Sequence, residues 1–125
     1  MKIYYAHHLY KYDTKVEEYE LDLIRKYFPG DIVINPNGYV DQTGTEERIM
    51  KVCLEVIGEC DALVFSSMSG VVGKGVHDEI NKAIDKKMPI YYINRNSIWR
   101  VIDINWKMLN ESRRIYAAPQ MILTA

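Results

Sequence analysis

The sequence lacks any apolar run close to the roughly 20 residues that span a bilayer, and it lacks an excess of either charge. Its 16 Lys and Arg residues nearly balance 17 Asp and Glu residues, which leaves a net charge of −1 and no basic surface for DNA, RNA or an acidic membrane. The chain opens with Met1-Lys2-Ile3-Tyr4-Tyr5, without the architecture of a signal peptide. We therefore expect a cytoplasmic protein that binds neither nucleic acid nor membrane.

Cysteine is also scarce, since Cys53 and Cys60 are the only two. On one helix they would lie about 10 Å apart along the axis, which is too far for a disulfide. We interpret both as small buried hydrophobic residues in a reducing compartment. Phe and Trp occur twice each, against ten Tyr residues, whose polar tips suit the rim of a core or a cleft.

Apolar strands alternate with amphipathic helices along the first part of the chain. The predicted strands are 3–6, 31–35, 62–65 and 89–93. Strands that are apolar throughout imply a parallel sheet covered on both faces. We predict one domain over residues 1–125, with a three-layer Rossmann-like or flavodoxin-like α/β fold, a mostly parallel sheet and helices on both faces. Residues 94–125 fit either strands or short helices.

Three helices are predicted between these strands. Capping boxes at 14–17 and 43–46 begin the first two helices. The apolar faces that we expect to pack on the sheet are Val16, Tyr19, Leu23 and Tyr27 in the first helix, Ile49, Val52, Cys53, Val56 and Ile57 in the second, and Val76, Ile80, Ala83 and Ile84 in the third.

Glu79 is the most informative residue. We expect it in the first turn of the third helix, at the crevice beyond the carboxyl ends of the strands, where ligands bind. It lies about 85° from the apolar face of this helix, whereas Asp78 lies about 175° away, in solvent. The helix dipole would keep Glu79 ionised, as a nucleophile requires. The same dipole also makes acidic residues common in first turns that have no function.

The glycine-rich stretch 70–75 precedes this helix. It is not a Walker A loop, because two residues rather than four separate its first glycines, and Gly75 rather than Ser or Thr follows Lys74. It is not the dinucleotide fingerprint either, which belongs after the first strand. Two alternatives stay open: backbone N–H groups that bind a phosphate or a sugar hydroxyl, or a tight turn from strand to helix.

His7 and His8 follow the first strand and reach the same crevice. Adjacent residues of a strand end point in different directions, so this pair does not form a two-histidine metal clamp. A set that adds His77 and Glu79 matches no zinc-binding spacing. We expect neither a metal nor a cofactor.

Residues 60–65, followed by 75–80 and Ala83, resemble the signature of the nucleoside 2-deoxyribosyltransferase superfamily, including its deoxynucleoside 5′-monophosphate N-glycosidase branch. Residues 2–6 are similar to the first strand of that family, which carries an active-site tyrosine. Residues 33–36 are similar to its second strand and the proline that follows. The resemblance covers about the first 95 residues.

The resemblance implies cleavage or exchange of the N-glycosidic bond of a nucleoside or nucleotide, and a homo-oligomer. Glu79 would attack the anomeric carbon and displace the base, and water or a second base would complete the reaction. Tyr4 would position Glu79 or the sugar. The residues expected to bind the substrate are His7, His8, Asp61, Ser67, Ser69, Gly73 and Gly75.

The chain departs from the family pattern at four places. Two of them are Asp78, where the family has an aromatic or small residue before the glutamate, and residues 94–125, which match no segment of the transferase C-terminus. The family has a further aspartate on the helix before the third strand, and that position falls near Cys53, with Glu55 as the nearest acid. Its first loop is small and rich in Gly and Ser, whereas this chain has residues 7–10, His-His-Leu-Tyr. Two alternatives to an enzyme follow: a non-catalytic module that senses or sequesters a nucleotide, and an interaction protein whose tyrosines form an oligomer interface.

Overall fold

The fold is built on one six-stranded sheet. The structure is a computed structural model that describes residues 1–110, 115–117 and 120–124. Its elements are β1 (Lys2–Ala6), a 3-10 turn (Leu9–Lys11), α1 (Lys15–Tyr27), β2 (Ile32–Ile34), the short turn α2 (Pro36–Tyr39), α3 (Glu46–Gly58), β3 (Ala62–Phe65), β4 (Val71–Val72), α4 (Lys74–Asp85), β5 (Ile90–Asn94), β6 (Ser97–Asn105), β7 (Met108–Asn110), β8 (Ile115–Ala117) and β9 (Gln120–Thr124).

The strand order of the main sheet is β2-β1-β3-β5-β6-β9. The first four strands are parallel, while β6 and β9 add antiparallel pairs at one side. Helix α1 packs on one face, and α3 and α4 pack on the other. The predicted three-layer, Rossmann-like α/β fold is therefore confirmed. Of the alternatives for residues 94–125, the described part adopts strands, two of which form a second sheet with β4.

Strand β1 contributes side chains to both faces of the sheet, because neighbouring residues of a strand point in opposite directions. Tyr4 and Ala6 belong to the core beneath α3 and α4. Ile3 and Tyr5 belong to the core beneath α1. All four are fully buried, so each of the two tyrosines must find a partner for its hydroxyl group inside the protein.

The face that α1 presents to the sheet differs from the prediction. Val16, Tyr19 and Tyr27 are 50%, 44% and 44% exposed, and of the predicted face only Leu23 is buried. The other buried residues of this helix are Glu17, Glu20 and Ile24. Apolar spacing failed as a guide because two carboxylates of α1 pair with buried donors, and paired polar groups are stable inside a protein.

The caps of the helices explain where they begin. The Thr14 hydroxyl accepts a hydrogen bond from the backbone of Glu17, as the first capping box predicts. In the second box the cap is Thr45, not Thr43. The N–H and hydroxyl groups of Thr43 instead bond to the Asp41 carboxylate, at 2.9 and 2.8 Å. A turn closed by the Asp41 side chain thus delays the start of α3 by two residues.

A buried ammonium group joins three segments at the carboxyl edge of the sheet. Lys11 is 8% exposed, and its Nζ donates to Glu20 Oε2 at 3.0 Å, Ser66 Oγ at 2.8 Å and the Ser67 carbonyl at 2.9 Å. The second oxygen of Glu20 accepts the Tyr5 hydroxyl at 2.5 Å. The segment after β1 is therefore tied to α1 and to the segment after β3.

We expect Lys11→Met to lower the free energy of unfolding by about 3–5 kcal/mol, because the Glu20 carboxylate would stay buried without its counter-charge. Urea unfolding measures this change. The matched control is Lys51→Met on the exposed side of α3, for which a change within about 0.5 kcal/mol is expected. Equal effects of the two substitutions would contradict a stabilising role for the Lys11 contacts.

Candidate active site

The candidate site lies at the edge of the sheet where β1 and β3 end, with Ala6 paired to Phe65. The 3-10 turn follows β1 at this edge, and α4 begins there after the segment that follows β3. This is the side on which ligands bind in open α/β sheets. The His8 ring lies next to Gly73 at this edge, since a Cβ on Gly73 would lie 3.2 Å from His8 Cδ2.

The structure brings Glu79 and Tyr4 together. The Tyr4 hydroxyl donates a hydrogen bond to Glu79 Oε2 beneath the crevice, and the two residues are 0% and 5% exposed, respectively. Glu79 is the sixth residue of α4, so the prediction that places it in the first turn is wrong by one turn. It is fully inside the core rather than at its border.

Burial controls the protonation of this pair. It raises the pKa of Glu79 to about 8; the hydrogen bond from Tyr4 opposes the shift, and the charge of Asp78 adds to it. Burial likewise raises the pKa of Tyr4, which stays protonated and remains the donor. The prediction that the helix dipole keeps Glu79 ionised is wrong, because a second-turn position is beyond most of the dipole's reach and burial disfavours the charge.

Cys53 completes the group. Its thiol interacts with the Tyr4 hydroxyl, and burial raises the pKa of the thiol. Cys53 is 4% exposed and stands where the resemblance places an aspartate. A neutral thiol thus stands beside Glu79 where an aspartate would add a like charge, so the raised pKa of Glu79 comes from burial and not from a charge on α3.

The glycine-rich segment after β3 is a hairpin. Met68 and Val71 exchange backbone hydrogen bonds of 2.8 and 3.0 Å, and Ser69 and Gly70 between them have φ values of 51° and 77°. Positive φ at both central residues is typical of a two-residue hairpin turn. Ser69, predicted to bind the substrate, lies exposed at its tip, and Gly73 is the N-cap residue of α4.

Ser67 is held at the base of this hairpin. Its hydroxyl and the Tyr92 hydroxyl are 2.9 Å apart, and its carbonyl accepts from Lys11. Ser67 therefore lies at the predicted edge of the sheet, with its polar atoms used to fix the hairpin. The segment thus contains a hairpin between β3 and α4, and the start of α4 has no side-chain cap, so binding of a ligand by its backbone N–H groups stays a prediction.

The two adjacent histidines separate. The His7 ring stacks on Tyr5 at 3.7 Å, and its Nε2 lies 2.7 Å from the Glu17 carboxylate on the α1 face. Glu79 is on the opposite face, so the expectation that His7 joins its site is wrong. His8 stays at the crevice beside Gly73. Side chains of β1 alternate between the two faces of the sheet. The alternation continues after the strand ends, so His7 lies on the same face as Tyr5 and His8 does not.

Asp61 does not belong to the candidate site. It directly precedes β3, and its carboxylate accepts the backbone N–H of Lys2 at 2.7 Å, so it lies at the amino edge of the sheet. The strand Ala62–Phe65 separates it from the crevice. The expectation that Asp61 binds the substrate is wrong because a residue before a parallel strand lies at the edge opposite to ligands.

Two further residues line the region and were missed from the sequence. The rings of Tyr12 and His7 lie 4.8 Å apart and are tilted by 38°; burial raises the pKa of Tyr12, and the charge of Glu79 adds to that shift. Met50 contacts Gly75, whose Cβ, if present, would lie 3.1 Å from Met50 Cε. Tyr12 follows soon after the carboxyl end of β1, a position that would have pointed to it, whereas Met50 lies inside α3 and gave no such signal.

The part of the chain that the structure describes contains no group of three His, Cys, Asp or Glu side chains placed to hold a metal ion. Within the same residues, no helix has the length and apolar character needed to cross a membrane.

Wild-type stability is expected to fall, relative to that of Glu79→Gln, as the pH rises from about 4.5 to about 8. In this range the folded protein keeps a proton that the unfolded chain has lost, because the folded pKa is about 8 against an ordinary 4.5, and the free energy of unfolding decreases accordingly. The slope is limited to about 1.4 kcal/mol per pH unit for one group.

Urea unfolding of both proteins across this pH range measures the difference. Asp78→Asn serves as a control, because it leaves Glu79 buried and should retain a fall with pH. A constant difference between wild type and Glu79→Gln from pH 4.5 to 8 would show that Glu79 titrates normally.

No protein-family model and no curated protein matches the chain. The likeness of residues 60–65 and 75–80 to the deoxyribosyltransferase signature therefore stays a resemblance of short motifs. What the described residues show is an acid, a phenol and a thiol buried together beneath the ligand-binding edge of an α/β sheet.

Proposed function

We propose that this protein cleaves or exchanges the N-glycosidic bond of a nucleoside or nucleotide, with Glu79 as nucleophile and Tyr4 as the residue that positions it. The observation that supports this proposal is the hydrogen bond from Tyr4 to Glu79 beneath the crevice. It holds one carboxyl oxygen and leaves the other for a sugar carbon. A fixed carboxylate in a low-dielectric site is suited to an oxocarbenium-like transition state.

The reaction would proceed in two displacements. A Glu79 oxygen attacks the anomeric carbon as the carbon–nitrogen bond breaks, and the bonding electrons leave with the base, which takes a proton from solvent. The resulting glycosyl ester is then attacked by water or by the nitrogen of a second base. The ester bond breaks, the attacking group loses its proton, and the Glu79 carboxylate is restored.

The protonation of Glu79 sets a condition on this mechanism. With a pKa of about 8, most of the unliganded protein holds the acid form at neutral pH, which is not a nucleophile. Positive charge that develops on the sugar ring would favour the carboxylate by direct electrostatic attraction. We therefore expect kcat/KM, which reports the free protein, to rise with pH through about 8.

His8 supplies a second polar group for the substrate. Its Nδ1 accepts the backbone N–H of Tyr10 at 3.0 Å, so the proton of the neutral ring resides on Nε2. Burial lowers the pKa of His8, as do the charges of Lys11 and His7, which favours the neutral form. The Nε2–H group beside Gly73 would donate to a sugar hydroxyl or a 5′-phosphate oxygen of the substrate.

Incubation with deoxynucleosides and their 5′-monophosphates, with and without a second base, is expected to release free base. Glu79→Ala should lower the rate at least about thousandfold, because it removes the nucleophile. Tyr4→Phe should lower it about 10- to 100-fold, because Glu79 loses its positioning contact. Chromatographic detection of the free base measures both changes, and dependence on the second base separates transfer from hydrolysis.

The control for this experiment is Glu55→Ala, which removes an exposed acid from α3 and should keep the wild-type rate. Full activity of Glu79→Ala toward every accepted substrate would overturn the proposal.

A non-catalytic nucleotide-binding module of the same fold is the second candidate. It is favoured by the enclosure of Glu79, which keeps the carboxyl protonated, and by Cys53 near the position of the aspartate that, by the resemblance, would hold the sugar hydroxyls. A protonated Glu79 would donate a hydrogen bond to the ligand instead of attacking it. Thermal stabilisation by a nucleotide that is recovered intact would establish this function and exclude the first.

We further propose that the protein forms a homo-oligomer through the exposed apolar side of α1. Val16, Tyr19 and Tyr27 lie there together with mixed charges of both signs, including Lys15 and Glu18. Light scattering should give a mass above that of one chain for the wild type, and Tyr19→Asp should reduce it by placing a charge in the contact. A monomeric wild-type protein would refute this arrangement.

A further inference from the structure

Three groups of the candidate site are closed to solvent. Tyr4, Cys53 and Glu79 are 0%, 4% and 5% exposed. A sugar has to touch Glu79 in the proposed reaction, so part of the protein has to move aside before any substrate can reach it. The side chain that covers the site is therefore a determinant of what can enter.

The geometry of two neighbouring helices identifies this side chain. Both α3 and α4 lead into strands of the parallel part of the sheet, β3 and β5, so both begin at the carboxyl edge and run back from it. Met50 precedes Cys53 by three residues, and Gly75 precedes Glu79 by four. Each therefore lies about one helical turn, about 5 Å, nearer to the crevice than the buried residue below it.

Met50 and Gly75 meet in this upper layer. The space that a Cβ at Gly75 would occupy lies 3.1 Å from Met50 Cε, so the end of the thioether side chain fills the gap that the missing side chain leaves. Met50 itself is only partly buried and packs on the same core cluster as Cys53. An unbranched side chain with three rotatable bonds at such a position changes its conformation readily.

We propose that Met50 controls access to Glu79, by closing the space between α3 and α4 over Gly75 and by swinging outward when a ligand enters. The substrate part of this inference rests on the proposed function, whereas the closure itself does not. Met50 acts as an access residue and takes no part in the chemistry. Its size limits the group that can approach Glu79.

The thiol of Cys53 reports on this closure without any need for catalysis, because it lies in the same closed layer as Glu79. In a Cys60→Ser background, alkylation of Cys53 by iodoacetamide at fixed pH is expected to be at least about tenfold faster in Met50→Ala than with Met50 present, since less opening is required. Mass spectrometry of the Cys53 peptide measures the rate.

Met88→Ala is the matched control. Met88 is also partly buried against the same core cluster, but it precedes β5 and therefore lies at the amino edge of the sheet. It should leave the alkylation rate of Cys53 close to that of the parent protein. Equal acceleration by both substitutions would show general loosening of the core and would overturn the proposal, as would no acceleration by Met50→Ala.

Met50→Leu covers the case in which the alanine variant is poorly folded. Leucine preserves the bulk and should therefore preserve slow alkylation, whereas Met50→Gly or Met50→Ser should accelerate it in proportion to the volume removed. Rates that do not follow side-chain volume at this position would refute control by Met50.

The outcomes for access and for catalysis are separable. Faster alkylation of Met50→Ala together with no base release from any substrate would support the access role and remove the glycosidase function. Base release that depends on Glu79, with alkylation unaffected by Met50, would support the function and remove the access role. If both the access role and the glycosidase function hold, Met50→Ala should raise kcat/KM more for substrates with bulky groups near the anomeric carbon than for substrates without them.

Discussion

The hydrogen bond between Tyr4 and Glu79 is the contact on which the candidate site depends. A carboxyl group inside a core is stable there only if it is hydrogen-bonded, uncharged or both, and Glu79 satisfies both conditions at neutral pH because its pKa is raised to about 8. The bond also joins β1 to α4 across 75 residues of sequence. The same contact that stabilises the buried acid also fixes its position beneath the carboxyl edge of the sheet.

The opposite face of the sheet uses a charged network for a structural purpose. There the Lys11 ammonium group is paired with Glu20 and bonded to Ser66 and the Ser67 carbonyl, so its charge is compensated. The network fixes the segments that follow β1 and β3, and these segments surround the crevice. One face thus keeps its carboxylate paired and fixed, while the other keeps a carboxyl whose charge can change, which is the property that catalysis or ligand binding requires.

Several expectations from the sequence failed for one physical reason. The apolar spacing of α1 placed Tyr19 in the core, but the helix buries Glu20 instead, because the Tyr5 hydroxyl and Lys11 compensate its charge. His7 points away from Glu79 for a related reason, since its ring nitrogen is hydrogen-bonded to the Glu17 carboxylate of α1. Hydrophobic periodicity describes which side chains avoid water, and it contains no information on polar groups that are buried in pairs.

The sequence by itself determined the alternation of strands and helices, the parallel sheet, and the presence of Glu79 on the helix after the third strand, because these depend on local periodicity and on turn residues. The tertiary structure decided that Cys53 joins the Tyr4–Glu79 pair, that this group is closed to solvent, and that Met50 Cε lies beside Gly75. Such contacts join residues distant in the chain, and burial, which determines the charge of Glu79, is a property of the whole packed core.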